Sequence, residues 1–317
     1  MSMNDAQYRH GPLRRANIYL EEEIPTHINH YIENRVFNTP DNDGNSLQQA
    51  SEKFQGKSKE LARKPSGEAE WTHALHTAIN DLRPAGLRIV RDNDWLEDMK
   101  PPVHNPLPRP LHAAATTPVF SLEDPRPAIC VGLSDESLAG ALESQKGRVV
   151  ARNLLFDLQD TSNLISDPHV TSLGLRFPFL IVETKAGATG GNLYQAQNQA
   201  AVGGSTALQI FRNLVDLCDA QLLDRESQGD TDRLGPTPAL SDDVLNLAFS
   251  ITTEGPIHEL WVHFQRSRDE DFCMACLGTW RTTLKDGSLD FLRHVLAVLK
   301  WGNGELKDNV VGALQGL

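Results

Sequence analysis

The chain has 317 residues, of which 39% are hydrophobic and 23% are charged. This composition supports a proper core and excludes wholesale disorder, and the length suits one large domain or one domain with appendages. There are 30 basic and 42 acidic residues, which give a net charge of −12. A broad basic face for nucleic acid is therefore not expected, and any such contact must rest on a local patch or on metal ions.

The polar N-terminal region, residues 1–64, is interrupted by proline and glycine and predicts a partly disordered arm with one short helix over 24–37. The periodic patterns begin after it, so residues 65–317 are expected to form the folded domain. The first helix of that domain is predicted to begin at Ser66, whose hydroxyl could cap it. Its buried stripe is predicted to contain Trp71, Leu75, Ala78 and Leu82.

The rest of the chain alternates between strand and helix patterns. Extended segments are predicted over 87–92, 119–133, 177–185, 245–255, 258–267 and 272–284. Helices are predicted over 135–144, 192–222 and 288–302, the last ending at Gly302, whereas 148–159 is ambiguous between helix and strand. This order favours an α/β fold with a mixed central β-sheet flanked by helices.

The four cysteines do not resemble a disulfide framework in a chain of this size. Cys273 and Cys276 form a CxxC pair, but they lie in a predicted strand where a separation of three places them on opposite faces. We therefore expect core packing there and no zinc site. The N-terminus has no apolar leader, and no segment is long enough to span a bilayer. These features predict a protein that is not secreted, has no membrane partner and is intracellular, in the nucleus or the cytoplasm.

The predicted strand FPFLIVETKAG, residues 177–187, ends in charged residues at positions where a central strand is normally apolar. Alternation predicts Phe179, Ile181, Glu183 and Lys185 on one face, and Leu180, Val182 and Thr184 on the other. Charged groups are rarely buried unless they are paired or bind a metal. A carboxylate and an ammonium on one face can hold a divalent cation and stabilise a phosphate. A surface Glu–Lys pair is the simpler alternative.

The stretch FPFLIVETKAGATGGNLYQAQNQAAVGGSTAL resembles the core of the PD-(D/E)XK nuclease superfamily and, more narrowly, a group of fungal nuclease-like proteins. SGEAEWTHALH is similar to the first helix of that group, and ELWVHFQ and FLRHVLAVLKWG resemble its C-terminal strand and helix. The resemblance covers about residues 65–305. It implies a restriction-endonuclease-like core, in which a four-stranded mixed sheet with flanking helices holds a metal site.

The resemblance also implies roles for particular residues. Glu183 would be the acidic metal ligand, the Thr184 carbonyl would complete the shell, and Lys185 would be the catalytic lysine. Glu68 on the first helix would be an auxiliary acidic residue and metal ligand, with Glu70 as its rival. A glutamine of the following helix, Gln195 or Gln199, would orient the site; these two share a helix face, whereas Gln197 points elsewhere.

One departure concerns the aspartate that the family carries on the strand before ETK. The matching position, after Pro127, is Ala128, which cannot bind a metal. Three explanations remain open: a natural pseudo-nuclease, an engineered alanine variant, or a nearby carboxylate that serves instead. For the last of these the candidates are Asp135, Asp157 and Asp160.

The expected function is therefore Mg²⁺- or Mn²⁺-dependent hydrolysis of phosphodiester bonds in nucleic acid, with DNA preferred to RNA as the substrate. The chain would be inactive if nothing replaces the missing aspartate. A second hypothesis is a catalytically dead module that binds nucleic acid or protein. A third, nucleotide binding, rests only on the glycine-rich turn KAGATGGN, which lacks the complete phosphate-binding motifs. The sequence gives no basis for an oligomeric state.

Overall fold

A computed structural model describes residues 7–38, 44–105, 119–162, 164–227, 242–267 and 271–317. The strands are β1 (Ile18–Leu20), β2 (Leu87–Val90), β3 (Ile129–Ser134), β4 (Leu175–Lys185), β5 (Ala248–Glu254), β6 (Ile257–Gln265) and β7 (Phe272–Arg281). The α-helices are α1 (Thr26–Tyr31), α2 (Gly44–Ala62), α3 (Glu68–Leu82), α4 (Asp135–Lys146), α5 (Arg148–Ser162), α6 (Leu193–Ser227), α7 (Asp242–Leu245), α8 (Lys285–Trp301) and α9 (Lys307–Gly316).

The strands form one seven-stranded sheet in the order β1-β7-β6-β5-β4-β3-β2. Strands β2, β3 and β4 are antiparallel neighbours, whereas β4 and β5 run parallel and are connected through α6. Strands β5, β6 and β7 are again antiparallel, and β1 extends the sheet by pairing parallel to β7. The prediction of a mixed α/β sheet flanked by helices is confirmed.

Strand β4 lies in the middle of the sheet, and all of its residues are buried. Leu180 and Val182 belong to the larger apolar cluster, whereas Ile181 belongs to a second cluster on the other side. Phe179 was predicted on the Ile181 face, and this was wrong. It packs against Trp301 in the larger cluster, because the register between β3 and β4 shifts at this point and Phe177 adopts a positive φ of 48°.

Helices cover both faces of the sheet. The N-terminal half of α6 lies on the Ile181 side, where small residues allow close approach: a Cβ on Gly203 would be 3.3 Å from Ile181, and one on Gly204 would lie 2.3 Å from the ring of His263. Buried residues of α3 and α8 join the larger cluster on the other side. None of the described helices is long and apolar enough to cross a membrane.

The N-terminal region differs from the prediction of a partly disordered arm with one short helix. The predicted helix is present as α1 with a following π-helical turn, Ile32–Val36, but β1 joins the sheet and α2 packs against α3 and α8. Helix α2 buries Leu47, Phe54 and Leu61. These apolar positions are far apart in a mostly polar segment, so the composition did not indicate a helix with a buried face. The described part of residues 1–64 is therefore packed into the same fold as the remainder.

Most predicted elements of the remaining chain are confirmed, including the buried stripe of α3, and the ambiguous segment 148–159 is helical. The extended prediction over 119–133 holds as a strand only from Ile129. Ser66 was expected to cap α3, but Gly67 occupies the N-cap position and the Ser66 hydroxyl donates to the Leu61 carbonyl. The residues of the CxxC pair are free thiols and pack in different apolar clusters, as predicted.

Gly302 was predicted to end the last helix, and α8 does end at Trp301 with Gly302 as its C-cap, but Gly302 does not stop the helical path. Its backbone is helical, the chain continues through a π-helical segment, Gly302–Leu306, and α9 follows. The glycine is required by packing, because a Cβ at Gly302 would lie only 2.1 Å from Cζ of Phe179.

We expect Gly302→Ala to destabilise the protein by about 1–3 kcal/mol, because an overpacked core must shift Phe179 or the helix. Gly304→Ala is the matched control, since it lies in the same segment and has nothing within 4 Å of its added Cβ. Urea unfolding of both variants measures the difference. Equal stabilities of the two variants would contradict the packing argument.

Candidate functional site

The site lies where β4 ends. Lys185 is 7% exposed, and its Nζ donates a hydrogen bond of 3.0 Å to Oε1 of Glu68, the first residue of α3. The Glu68 side chain is 43% exposed, so the ion pair spans from the interior to the surface. The structure thus brings together Lys185 and Glu68, which are far apart in the sequence.

Two local features hold this pair in place. The carboxylate of Glu70 accepts a hydrogen bond of 3.0 Å from the Gly67 amide, which fixes the first turn of α3. Glu70, the rival of Glu68 in the sequence, thus caps the helix. Gly191 packs against the stem of Lys185, since an added Cβ there would lie 3.0–3.1 Å from its side-chain carbons. The turn therefore needs glycine for close packing.

Glu183 is a buried carboxylate whose charge is poorly compensated. It is 4% exposed, and no hydrogen bond reaches its side chain from the described residues. Burial raises the pKa of Glu183 to about 8, and the positive charge of Lys185 offsets this only in part. The negative charges of Glu68 and Asp92 raise it further.

Glu259 provides a comparison on the same sheet. In the strand register, Glu183 is beside Thr252, and Thr252 is beside Glu259. The Glu259 carboxylate is also buried, but it accepts hydrogen bonds from the Thr252 hydroxyl at 2.8 Å, from Trp261 Nε1 at 3.1 Å and from Gln197 Nε2 at 2.8 Å. The fold therefore satisfies one of the two buried carboxylates and leaves the other without a donor.

Ala128 lies next to Glu183. Strands β3 and β4 pair Ile129 with Val182, and the same register continued by one residue sets Ala128 beside Glu183. Ala128 is itself buried. The alignment that assigned Ala128 to the position of the family's aspartate is thus compatible with its place in the fold.

The three carboxylates proposed as substitutes do not lie at this end of the sheet, so this expectation was wrong. Asp135 accepts a hydrogen bond of 2.8 Å from Nε of Arg176, near the opposite end of β4. Asp157 and Asp160 are exposed on α5, which packs mainly against α4. The sequence placed these residues only by their proximity along the chain.

Asp92 is the acidic residue that the sequence argument missed. It follows β2, its amide donates to the Pro127 carbonyl at 3.2 Å, and its charge acts on Glu183. The available indication in the sequence was an acidic residue at the end of a predicted strand.

The glutamines of α6 are placed as their spacing predicted, but their contacts differ. Gln195 and Gln199 are half-buried, and Oε1 of Gln199 is buried without a hydrogen-bond partner. Gln197 points elsewhere, donating to Glu259 and accepting from Nη2 of Arg9 at 2.7 Å. No hydrogen bond between described residues connects Gln195 or Gln199 to Glu183.

The glycine-rich turn does not offer its amides to a phosphate. The amides of Thr189 and Gly191 both donate to the Ala186 carbonyl, and that of Gly190 donates to Gly187. At the start of α6, the Leu193 amide donates at 2.9 Å to Oε2 of Glu254. A carboxylate therefore occupies the helix N-terminus that a nucleotide phosphate would need.

The described residues at the end of β4 do not form a preformed protein cage for a metal ion. Within the described residues, no three His, Cys, Asp or Glu side chains converge closely enough to hold a metal ion. Thr184 is fully buried, and its hydroxyl has no hydrogen-bond partner. Mg²⁺ commonly uses one or two carboxylates and retains several waters, a demand that Glu183 with one further carboxylate meets.

The fold and site define a mixed α/β protein with a buried carboxylate and a lysine at the end of a central strand. A family model described as a domain of unknown function, DUF7924, matches residues 21–311, and the chain belongs to this family. Comparisons with curated proteins and with solved structures find no match. The family match includes β2 to β7 and every predicted site residue.

The raised pKa of Glu183 predicts that, without divalent cations, stability falls as the pH rises from about 4.5 to about 8. In this interval the unfolded chain has lost the Glu183 proton while the folded chain retains it, so the free energy of unfolding decreases. The slope contributed is at most about 1.4 kcal/mol per pH unit. Thermal unfolding across this range measures it.

Glu183→Gln should flatten this dependence, because the glutamine does not titrate. Glu97→Gln is the control, since the Glu97 side chain is 78% exposed and should leave the slope unchanged. Identical slopes in wild type and Glu183→Gln would show that Glu183 does not carry the effect.

Proposed function

We propose that this protein is a metal-dependent phosphodiesterase of the PD-(D/E)XK type that acts on nucleic acid, with DNA as the preferred substrate. One observation carries the proposal: Glu183 is a buried carboxylate without a hydrogen-bond donor, next to the Lys185–Glu68 ion pair. Such a carboxylate is costly unless a proton or a cation neutralises it. Buried carboxylates without a partner occur most often at functional sites.

The topology around the site supports the same proposal. Strands β2, β3, β4 and β5 are four adjacent strands of the seven-stranded sheet, with both antiparallel and parallel pairs and helices on both faces. The ETK sequence lies at the end of the third of these strands, and the register of β3 and β4 continued by one residue sets Ala128 beside Glu183. The sequence resemblance implies a four-stranded mixed sheet around the metal site, and these four strands are compatible with it.

Each residue of the site has a proposed role. Glu183 with Glu68 and the Thr184 carbonyl would hold Mg²⁺ or Mn²⁺, which when bound supplies a Lewis acid and activates water. Lys185 holds a positive charge where a scissile phosphate would lie, and it stabilises the charge that develops there. Glu68 orients the Lys185 ammonium through their 3.0 Å hydrogen bond. Gln195 or Gln199 of α6 would orient the site.

Local positive charge near the site supports a nucleic-acid partner despite the net charge of −12. Arg91 directly follows β2, the edge strand that leads to Asp92. Its guanidinium is 3.8 Å from the Asp92 carboxylate, and its side chain is 34% exposed. Arg91 is therefore placed to contact a phosphate backbone beside the site.

A second candidate function is nucleic-acid binding without hydrolysis, and Ala128 favours it. An alanine at this position removes a carboxylate that would complete a metal site. A binding module would retain nucleic acid in a salt-sensitive and metal-independent manner. Loss of the Lys185 charge would then cost only one contact.

We expect Ala128→Asp to raise Mg²⁺-dependent cleavage of DNA by at least about tenfold, because it places a second carboxylate beside Glu183. The same change should destabilise the metal-free protein, since the new charge lies in a buried position next to Glu183. Cleavage of labelled single- and double-stranded DNA and RNA, with and without Mg²⁺, measures the effect.

Lys185→Met in the Ala128→Asp background should lower the cleavage rate by about 100-fold or more, because it removes a charge aimed at the reacting phosphate. Lys53→Met is a matched control, since Lys53 also pairs with a carboxylate, Asp81, at 2.6 Å on the surface. An Ala128→Asp protein that is folded, binds Mg²⁺ and cleaves none of these substrates would overturn the hydrolase proposal.

Arg91→Ala should weaken binding of nucleic acid and reduce the slope of log affinity against log salt concentration by about one unit. The reason is the loss of one phosphate contact. Fluorescence anisotropy at several salt concentrations measures both quantities. Arg293→Ala is the control, because Arg293 is an exposed arginine on α8, outside the site. Equal effects of the two changes would show that the β2 edge is not the contact surface.

A further inference from the structure

An acidic residue lies near Ala128 on the segment that flanks β3 on the side away from β4. The pairing of β2 with β3 ends at Val90 and Cys130, and the Asp92 amide then donates at 3.2 Å to the carbonyl of Pro127, the residue before Ala128. Asp92, Ala128 and Glu183 thus lie on three neighbouring segments, and we call these three residues the row.

The backbone of Asp92 is unusual in a way that fits a specific role. Its φ is 50°, in the left-handed region that aspartate tolerates better than most residues but that still costs free energy. This conformation ends β2 and turns the chain at the level of Ala128. The Asp92 side chain is 57% exposed, and its ion pair with Arg91 is long, at 3.8 Å.

Glu183 gives an independent indication that a ligand belongs between these residues. Its carboxylate is more than nine-tenths buried and accepts no hydrogen bond from a described residue. The charge of Asp92 acts on it, which shows that the two carboxylates are electrostatically close. Between them, Ala128 contributes only a methyl group.

The other acidic residues nearby have closer partners than Asp92. The proposed ligand Glu68 also accepts a hydrogen bond from Lys185, and Asp167 accepts hydrogen bonds from the His169 ring and the Leu173 amide. Asp94 is 67% exposed and lies 3.6 Å from Arg126. Of these carboxylates beside the row, Asp92 is the one that is both near Glu183 and weakly paired.

We infer that Asp92 supplies the carboxylate that Ala128 lacks, so that Asp92 and Glu183 together hold one hydrated divalent cation, Mg²⁺ or Mn²⁺, above Ala128. This inference rests on the proposed function and adds Asp92 to the ligands proposed there, Glu183, Glu68 and the Thr184 carbonyl. The Asp92 carboxylate would come from the segment after β2, and the position expected for the aspartate is occupied by Ala128. Two carboxylates and several waters form a normal site for such a cation.

The test is direct binding of Mn²⁺ to the full chain, measured by calorimetry and by water-proton relaxation at constant pH and ionic strength. Wild type should bind one Mn²⁺ per chain. Asp92→Asn, which keeps a residue that tolerates positive φ, should weaken binding at least about tenfold. Asp92→Gly is a second variant that relieves the backbone strain and removes the same carboxylate.

Asp94→Asn is the matched control, because it neutralises an exposed aspartate two residues away and should leave the affinity unchanged. Adding Ala128→Asp to Asp92→Asn should restore binding, since the carboxylate returns to the same row. Thermal unfolding without metal checks that all variants are folded.

The outcomes separate this inference from the proposed function. If Glu183→Gln abolishes Mn²⁺ binding and Asp92→Asn does not change it, Asp92 is not a ligand and the cation site stands. If wild type binds no Mn²⁺ but Ala128→Asp does, Asp92 does not replace the missing group and the hydrolase proposal survives. If neither protein binds Mn²⁺, both proposals fail.

Discussion

Burial of β4 along its whole length is the constraint on which the site depends. A charged side chain in such a strand must be paired, hydrogen-bonded or neutralised, because transfer from water is otherwise too costly. Near one end, Arg176 is 1% exposed, and it meets this requirement with hydrogen bonds to Asp135 and to the Ser166 hydroxyl. At the other end, Lys185 meets it with Glu68. Glu183 is the charged residue of β4 that lacks such a partner.

This constraint also explains why distant segments converge on the end of β4. The start of α3 is fixed by the Glu70 carboxylate, so that Glu68 can reach Lys185 from another layer of the fold. The chain after β4 turns through glycine close to the Lys185 stem, and Glu254 then accepts the first amide of α6. The other ionic groups therefore have fixed partners on several sides. The Glu183 carboxylate is the group that lacks a hydrogen-bond donor among the described residues.

The sequence predicted what depends on local pattern and failed where tertiary packing decides. The helices and strands after residue 65 follow apolar periodicity, and the pairing of a strand-end lysine with a helix acid follows from the cost of burying charge. The pattern could not show that Phe179 would change faces, because a register shift against β3 decides this. It also could not show that Gly302 makes room for Phe179, because a glycine near a helix end predicts termination equally well.

The candidate site was predictable to the same limited extent. Glu183 and Lys185 were identified from the strand pattern and Glu68 from the family resemblance, and the structure brings Lys185 and Glu68 into contact. Asp92 was missed because its relation to Ala128 depends on the contact between the segment after β2 and the segment before β3. The choice of Asp135, Asp157 and Asp160 failed for the same reason. A strand rises about 3.3 Å per residue, so residues that are close in the sequence can lie at opposite ends of the sheet.

The charges at the site also bear on the acidity of the whole chain. The charges of Glu68, Asp92 and Lys185 all act on Glu183, so these four groups would present net negative charge to an anionic backbone if all three acids were ionised. Long-range attraction from the protein as a whole cannot offset this, since its net charge is −12. Uptake of a cation or a proton at Glu183 would remove this barrier. Dependence on a divalent ion is thus consistent with an acidic protein that binds nucleic acid, because the ion would supply the positive charge that the composition does not.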